Sequence, residues 1–135
     1  MSIESVLEIA SSGLVAQSHR INLVSQNLAN ADSVSSPEGG PYQRRLPVFV
    51  ASPLRQDSSE LGVKMVAVLR DESPPQIVHD PSNPLADEKG NVRRPAINPV
   101  LEMVDLIEAS RSYEANLSVI ESAKSMALKT IDLLQ

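Results

Sequence analysis

Cysteine and tryptophan are absent from this 135-residue chain, which carries one phenylalanine and two tyrosines. Without cysteine, disulfides, thiolate metal sites and cysteine nucleophiles are excluded. With so few rings, the large side chains that usually dominate a compact core are missing. Burial has to come from Leu, Ile, Val, Met and Ala in elongated seams. Positive charge is short as well: the net charge is −5 and no dense basic stripe interrupts it, which argues against a nucleic-acid partner. Residues 9–31 are apolar in part but broken by Ser, Gln, Asn and Arg20, so no membrane-spanning run is expected. The first residues also lack the basic region of a cleaved signal peptide, so any export is expected to proceed without one.

Catalytic patterns are missing too. His19 and His79, the only histidines, sit on different segments with no carboxylate at metal-ligand spacing. Asp71-Glu72 and Asp87-Glu88 are adjacent pairs in turn segments, whereas a general acid and base need two different environments. Arg44-Arg45 and Arg93-Arg94 read as solubilising edge residues. Asn116-Leu117-Ser118 matches a glycosylation acceptor only by chance, since it falls inside a helical stripe. No phosphate-binding glycine loop or nucleophile elbow is present. No enzyme activity, cofactor, metal or small-molecule substrate is expected.

What the chain does have is two long periodic stretches. Met103, Leu106, Ser110, Tyr113, Leu117, Ile120, Lys124, Ala127, Ile131 and Leu134 step 3, 4, 3, 4, a heptad pattern. Val119, Ala123, Met126, Thr130 and Leu133 form a second row beside it, widening the apolar face. Asn98 suits the N-cap and Pro99 the first helical position, predicting a helix over 98–135, roughly 50 Å long at about 1.5 Å per residue. Ile3, Leu7, Ala10, Leu14, Gln17, Ile21, Val24, Leu28 and Ala31 step 4, 3, 4, 3, predicting a second helix over 2–31 capped by Ser2. Its other side carries Ser11, Ser12, Ser18, Asn22, Ser25, Gln26, Asn27 and Asn30, polar but uncharged. Such a side suits burial, where amides and hydroxyls pair at modest cost.

Nine of the ten prolines and four of the five glycines lie between these stretches, and the tenth proline, Pro99, opens the second, so the helix boundaries are sharp. Extended segments are predicted at 45–51, 61–70, 76–78 and 91–97, with Pro47 marking an edge strand and Val63, Met65, Ala67 and Leu69 sharing one face of a strand. The expected fold is mainly α with a small β insert. Two long antiparallel heptad helices, 1–31 and 98–135, would form one coiled-coil axial domain, and 32–97 a β-rich insert. Aligning the stripes from the joined end sets Leu28 beside Met103 and Leu14 beside Leu117.

Several segments carry a resemblance. Ser11-Ser-Gly-Leu-Val-Ala-Gln17 continues through Asn22-Leu-Val-Ser-Gln-Asn-Leu-Ala-Asn-Ala31. Gly39-Gly-Pro-Tyr-Gln-Arg-Arg45, Asp80-Pro and Asn83-Pro-Leu-Ala-Asp87 follow, then Met103-Val-Asp-Leu-Ile-Glu-Ala-Ser-Arg-Ser-Tyr-Glu-Ala-Asn116. In this order they resemble the bacterial flagellar rod and hook axial proteins, and within them the short subunits of the proximal rod. The resemblance implies a structural subunit that leaves through the flagellar type III export apparatus and polymerises in the periplasm into a torque-transmitting tube. Its partners would be itself, other rod proteins, the rod-base adaptor and the membrane ring. The interface so implied comprises Leu7, Leu14, Gln17, Ile21, Val24, Asn27, Leu28, Asn30, Met103, Leu106, Ser110, Tyr113, Asn116, Leu117, Ile120, Ala127, Ile131 and Leu134. A coiled-coil adaptor or export chaperone of a type III secretion system is the alternative.

Overall fold

The computed structural model describes residues 2–36, 39–55 and 59–133. Helix α1 spans Ile3–Ala29. It starts at a reciprocal cap: the Ser2 hydroxyl accepts from the Ser5 amide at 3.2 Å, and the Ser2 amide donates to the Ser5 hydroxyl. Helix α2 spans Pro99–Asp132. The Asn98 side chain accepts from the Val100 amide at 3.0 Å, and Pro99 wastes no donor at a position that has no intrahelical acceptor.

Between the helices lie β1 (Arg45–Pro53), β2 (Leu61–Arg70), β3 (Gln76–His79) and β4 (Asn91–Arg94). They form two separate antiparallel pairs, β1–β2 and β3–β4. Pro47 lies opposite Val68 in a pair whose outer edges are both free of other strands, so its missing donor disrupts no ladder. The register shifts between Val48 and Phe49, leaving Val66 as the extra residue of β2. That bulge interrupts the predicted alternation, and Val63, Ala67 and Leu69 all end exposed. The connection from β3 to β4 is turn chemistry: Asn83 caps the Leu85 amide, and the Asp87 carboxylate accepts from the amides of Lys89 and Asn91.

These findings correct the expected fold class. Strands take 21% of the described residues and helices 48%, so the molecule is α plus β, with two small sheets instead of a minor insert. Nor do the helices meet on the predicted seam. They run antiparallel, as Asn27 beside Glu102, Arg20 beside Asp105 and Gly13 beside Asn116 show. The fully buried positions of α2 are Glu102, Ala109 and Ala123, with Asn116 half-buried in the same row. This row sits one residue before Met103, Ser110, Leu117 and Lys124, which the heptad pattern placed inside. Met103 is 51% exposed and Leu117 41%. The axial register is within two residues of the expected one, but α2 is turned so that small and polar side chains face α1.

Close approach explains the turn. Ala10 and Ala16 of α1 and Ala109 and Ala123 of α2 are buried, and a Cβ on Gly13 would lie 2.9 Å from the Asn116 amide. The Asn116 side chain is itself held by a hydrogen bond to the Ser112 carbonyl. Small residues therefore set the helix spacing, and the larger apolar side chains are pushed to the flanks. In a helix interior, Gly13→Ala gains about 1 kcal/mol of propensity, which offsets its contact with Asn116, so a near-neutral effect is expected. Gly13→Leu has no such room and is expected to cost about 1–3 kcal/mol. Urea unfolding followed by circular dichroism checks this; an unchanged midpoint for Gly13→Leu would show that the helices are not closely packed there.

Candidate assembly interface

One polar junction fixes how the hairpin and the two helices meet. Asn27, near the end of α1, is 1% exposed. Its carboxamide nitrogen donates to the Arg45 carbonyl at 2.9 Å and to Glu102 Oε2 at 3.1 Å. Its oxygen accepts from the Arg45 amide at 2.8 Å and the Tyr42 hydroxyl at 3.1 Å. All four hydrogen bonds that an asparagine side chain allows are made. By pairing with both backbone groups of Arg45, the side chain occupies the edge of β1 as a neighbouring strand residue would.

Glu102, also 1% exposed, places a carboxyl group where an unpaired charge would be prohibitive. Three features compensate. Arg44 Nε donates to its Oε1, Asn27 donates to its Oε2, and it lies in the first turn of α2, where the helix dipole favours an anion. Arg44 also reaches Asp105, which pairs with Arg20 at 2.9 Å. The chain delivers Tyr42 and Arg44 here through Gly39 and Gly40, whose φ values of +88° and +74° favour residues without a Cβ. The Arg44-Arg45 doublet, read from sequence as solvated, is thus half part of a buried network. A second tie joins the far end of the hairpin to α1: the Ser12 hydroxyl accepts from the Val63 amide, and Arg55 pairs with Glu4 and Glu8.

Around this frame much of the surface is apolar. The chain exposes 9245 Å², about a third more than the roughly 6,900 Å² of a compact 14.6 kDa monomer. The excess lies on recognisable faces. Val119, Met126 and Leu133 line one flank of α2; Met103, Leu117 and Ile131 line the other. Continuing the register of Gly13 with Asn116 sets Ser2 level with Ala127, so residues 128–133 extend past the start of α1.

Of the predicted interface residues, Val24 and Asn27 are buried within the chain. Leu7, Leu14, Gln17, Ile21, Leu28 and Asn30 are half-buried, as are Leu106, Ser110, Asn116, Ile120 and Ala127. Met103, Tyr113, Leu117 and Ile131 stay exposed, and Leu134 lies outside the described residues. Sequence reasoning missed Glu102, Arg44, Arg20 and Asp105 as a group, because nothing in the spacing links segments so far apart. Among the described residues, no cluster of three or more His, Asp or Glu side chains could hold a metal, and no helix is long and apolar enough to cross a membrane.

Comparison with known proteins bears on these faces. Residues 7–35 match the family model described as flagella basal body rod protein. Residues 88–133 match that of the flagellar basal body rod FlgEFG protein C-terminal region. Similar proteins along the full length include the flagellar basal-body rod protein FlgC of Yersinia enterocolitica, 46% identical with all of both chains covered. Its counterpart in Escherichia coli O6:H1 is 44% identical, again over all of both chains. The one in Aquifex aeolicus is 45% identical over 98% of this chain and 97% of the relative.

The junction makes a pH-dependent prediction. Asn27→Asp removes both donors and sets a new carboxylate against that of Glu102, so a loss of at least about 3 kcal/mol at pH 7 is expected. The like-charge pair binds a proton more readily folded than unfolded, so the variant's deficit relative to wild type should shrink as pH falls from 7 to 5. Urea titrations at the two pH values measure it. A deficit that is constant or grows on acidification would mean that the two side chains do not face each other.

Proposed function

The chain belongs to the flagellar basal-body rod protein family, whose members are structural rod subunits and not enzymes, and from that premise we propose how it builds the rod. It takes a place in the proximal rod, where its α1–α2 pair packs against the pairs of neighbouring subunits as a wall of the tube. The observation that carries this reading is the surface excess. An α2 flanked on both sides of its α1 contact by apolar rows suits a helix with neighbours on either side. The uncharged polar side of α1, with Ser11, Ser18, Asn22, Ser25 and Gln26 exposed, can be covered without desolvating charge.

The partners are other rod proteins, further copies of the chain, the rod-base adaptor and the membrane ring. The site of assembly is the periplasm, reached through the flagellar export apparatus. Torque passes between motor and hook through packed helices, and the junction at Asn27 keeps the hairpin from shearing off the helix pair. Neither comparison supports an adaptor or chaperone.

A charge on a flank separates folding from assembly. Leu117→Asp and Met126→Asp place a carboxylate on surface that is exposed in the single chain, so helical content and thermal midpoint should stay within error of wild type. Burial of that carboxylate in the rod would cost several kcal/mol per copy, and cells should not swim although the protein is made. Glu88→Ala, in an exposed turn, should swim normally. Wild-type swimming by both flank variants would contradict the proposed packing.

A further inference from the structure

A groove of about 540 Å³ runs between α1 and β2. Glu8, Val15 and His19 line it from the helix, and Val63, Lys64 and Met65 from the strand. At 100° per residue, this side of α1 lies roughly a third of the way round from the side that faces α2. Val15 and Val63 are exposed in it. We infer that the groove receives the C-terminal end of α2 from a second copy of this chain, a reading that rests on the rod assembly proposed above.

Three observations select that occupant. The end of α2 is apolar and unpartnered: Leu128, Ile131 and Leu133 are exposed, Leu133 at 87%. A chain cannot fill its own groove, because residues 128–133 lie beyond Ser2, while the groove starts at Glu8, about 9 Å further along the axis. The charges are also complementary. Among the described residues Lys64 has no ion-pair partner and stands at the groove wall, and Glu8 is shared with Arg55. Asp132 and Lys129 sit one turn apart on α2, so Asp132 can meet Lys64 while Lys129 faces the acidic side. A contact between the end of one molecule and the side of the next is heterologous, and repeats into an open filament instead of closing into a dimer.

The absence of cysteine allows a direct test. Cells carry two copies of the gene, one encoding Val15→Cys and the other either Leu128→Cys or Ile131→Cys, and basal bodies are isolated and oxidised. A disulfide needs Cα atoms within about 7 Å, so a mixed dimer is the expected result for at least one pairing. Adding Lys64→Glu to the first copy should reduce that dimer, and adding Asp132→Lys to the second should restore it. If both copies are present in basal bodies but no mixed dimer forms, or the charge exchange changes nothing, the groove is not the docking site and the rod reading stands. If the wild-type chain itself is absent from basal bodies, both fail.

Discussion

The rest of the structure depends on one carboxamide. Two helices and two small sheets have too little apolar interior to choose their mutual positions by packing alone. Asn27 makes the choice through directional bonds, joining the edge of β1, the Tyr42 hydroxyl and the buried Glu102 of α2 at one point. Each partner would be left unsatisfied in a dry site by any other arrangement, and an unmade buried hydrogen bond costs about 1–3 kcal/mol. Arg44 then neutralises Glu102, so the segment leading into β1 is fastened to the first turn of α2 as well as to α1.

From that point outward the contacts thin. The helices approach closely along Gly13, Ala10, Ala16, Ala109 and Ala123, a seam that gives shape and little apolar area. The large apolar side chains stand on the flanks and at the end of α2, exposed in the single chain. This division suits a rod protein. Internal bonds that are polar and specific fix the shape of the subunit, while under the proposed packing the hydrophobic contribution goes to association and recurs along the tube.

Much of this was legible in the sequence, and the failures share a cause. Ser2, Asn98 and Pro99 mark the helix starts because caps are local, and the span of β2 follows from its bounded run of apolar residues. The motifs of the N-terminal helix, of Tyr42 to Arg45 and of the α2 stripe identified the family. The helix face was misjudged because the heptad count favours large apolar residues. The buried row, Glu102, Ala109, Asn116 and Ala123, consists of small or polar ones, and its interior position is evident only once α1 is laid against it. Arg44 looked solvated for the same reason: its acceptor is contributed from far along the chain. The exposed hairpin face was also beyond periodicity, since alternation reports that a strand has two sides and not that one of them is covered.

The central claim is that Asn27 and Glu102 act as one unit in positioning the helices, and a double-mutant cycle measures this directly. Asn27→Ala, Glu102→Ala and the double variant are compared with wild type by urea unfolding. Groups that share a buried hydrogen bond and a common network couple by about 0.5–3 kcal/mol, and a coupling of at least about 1 kcal/mol is predicted, the double variant being less destabilised than the sum of the singles. Strict additivity would contradict the account, because it would mean that the two side chains contribute independently and that the junction does not hold the fold together.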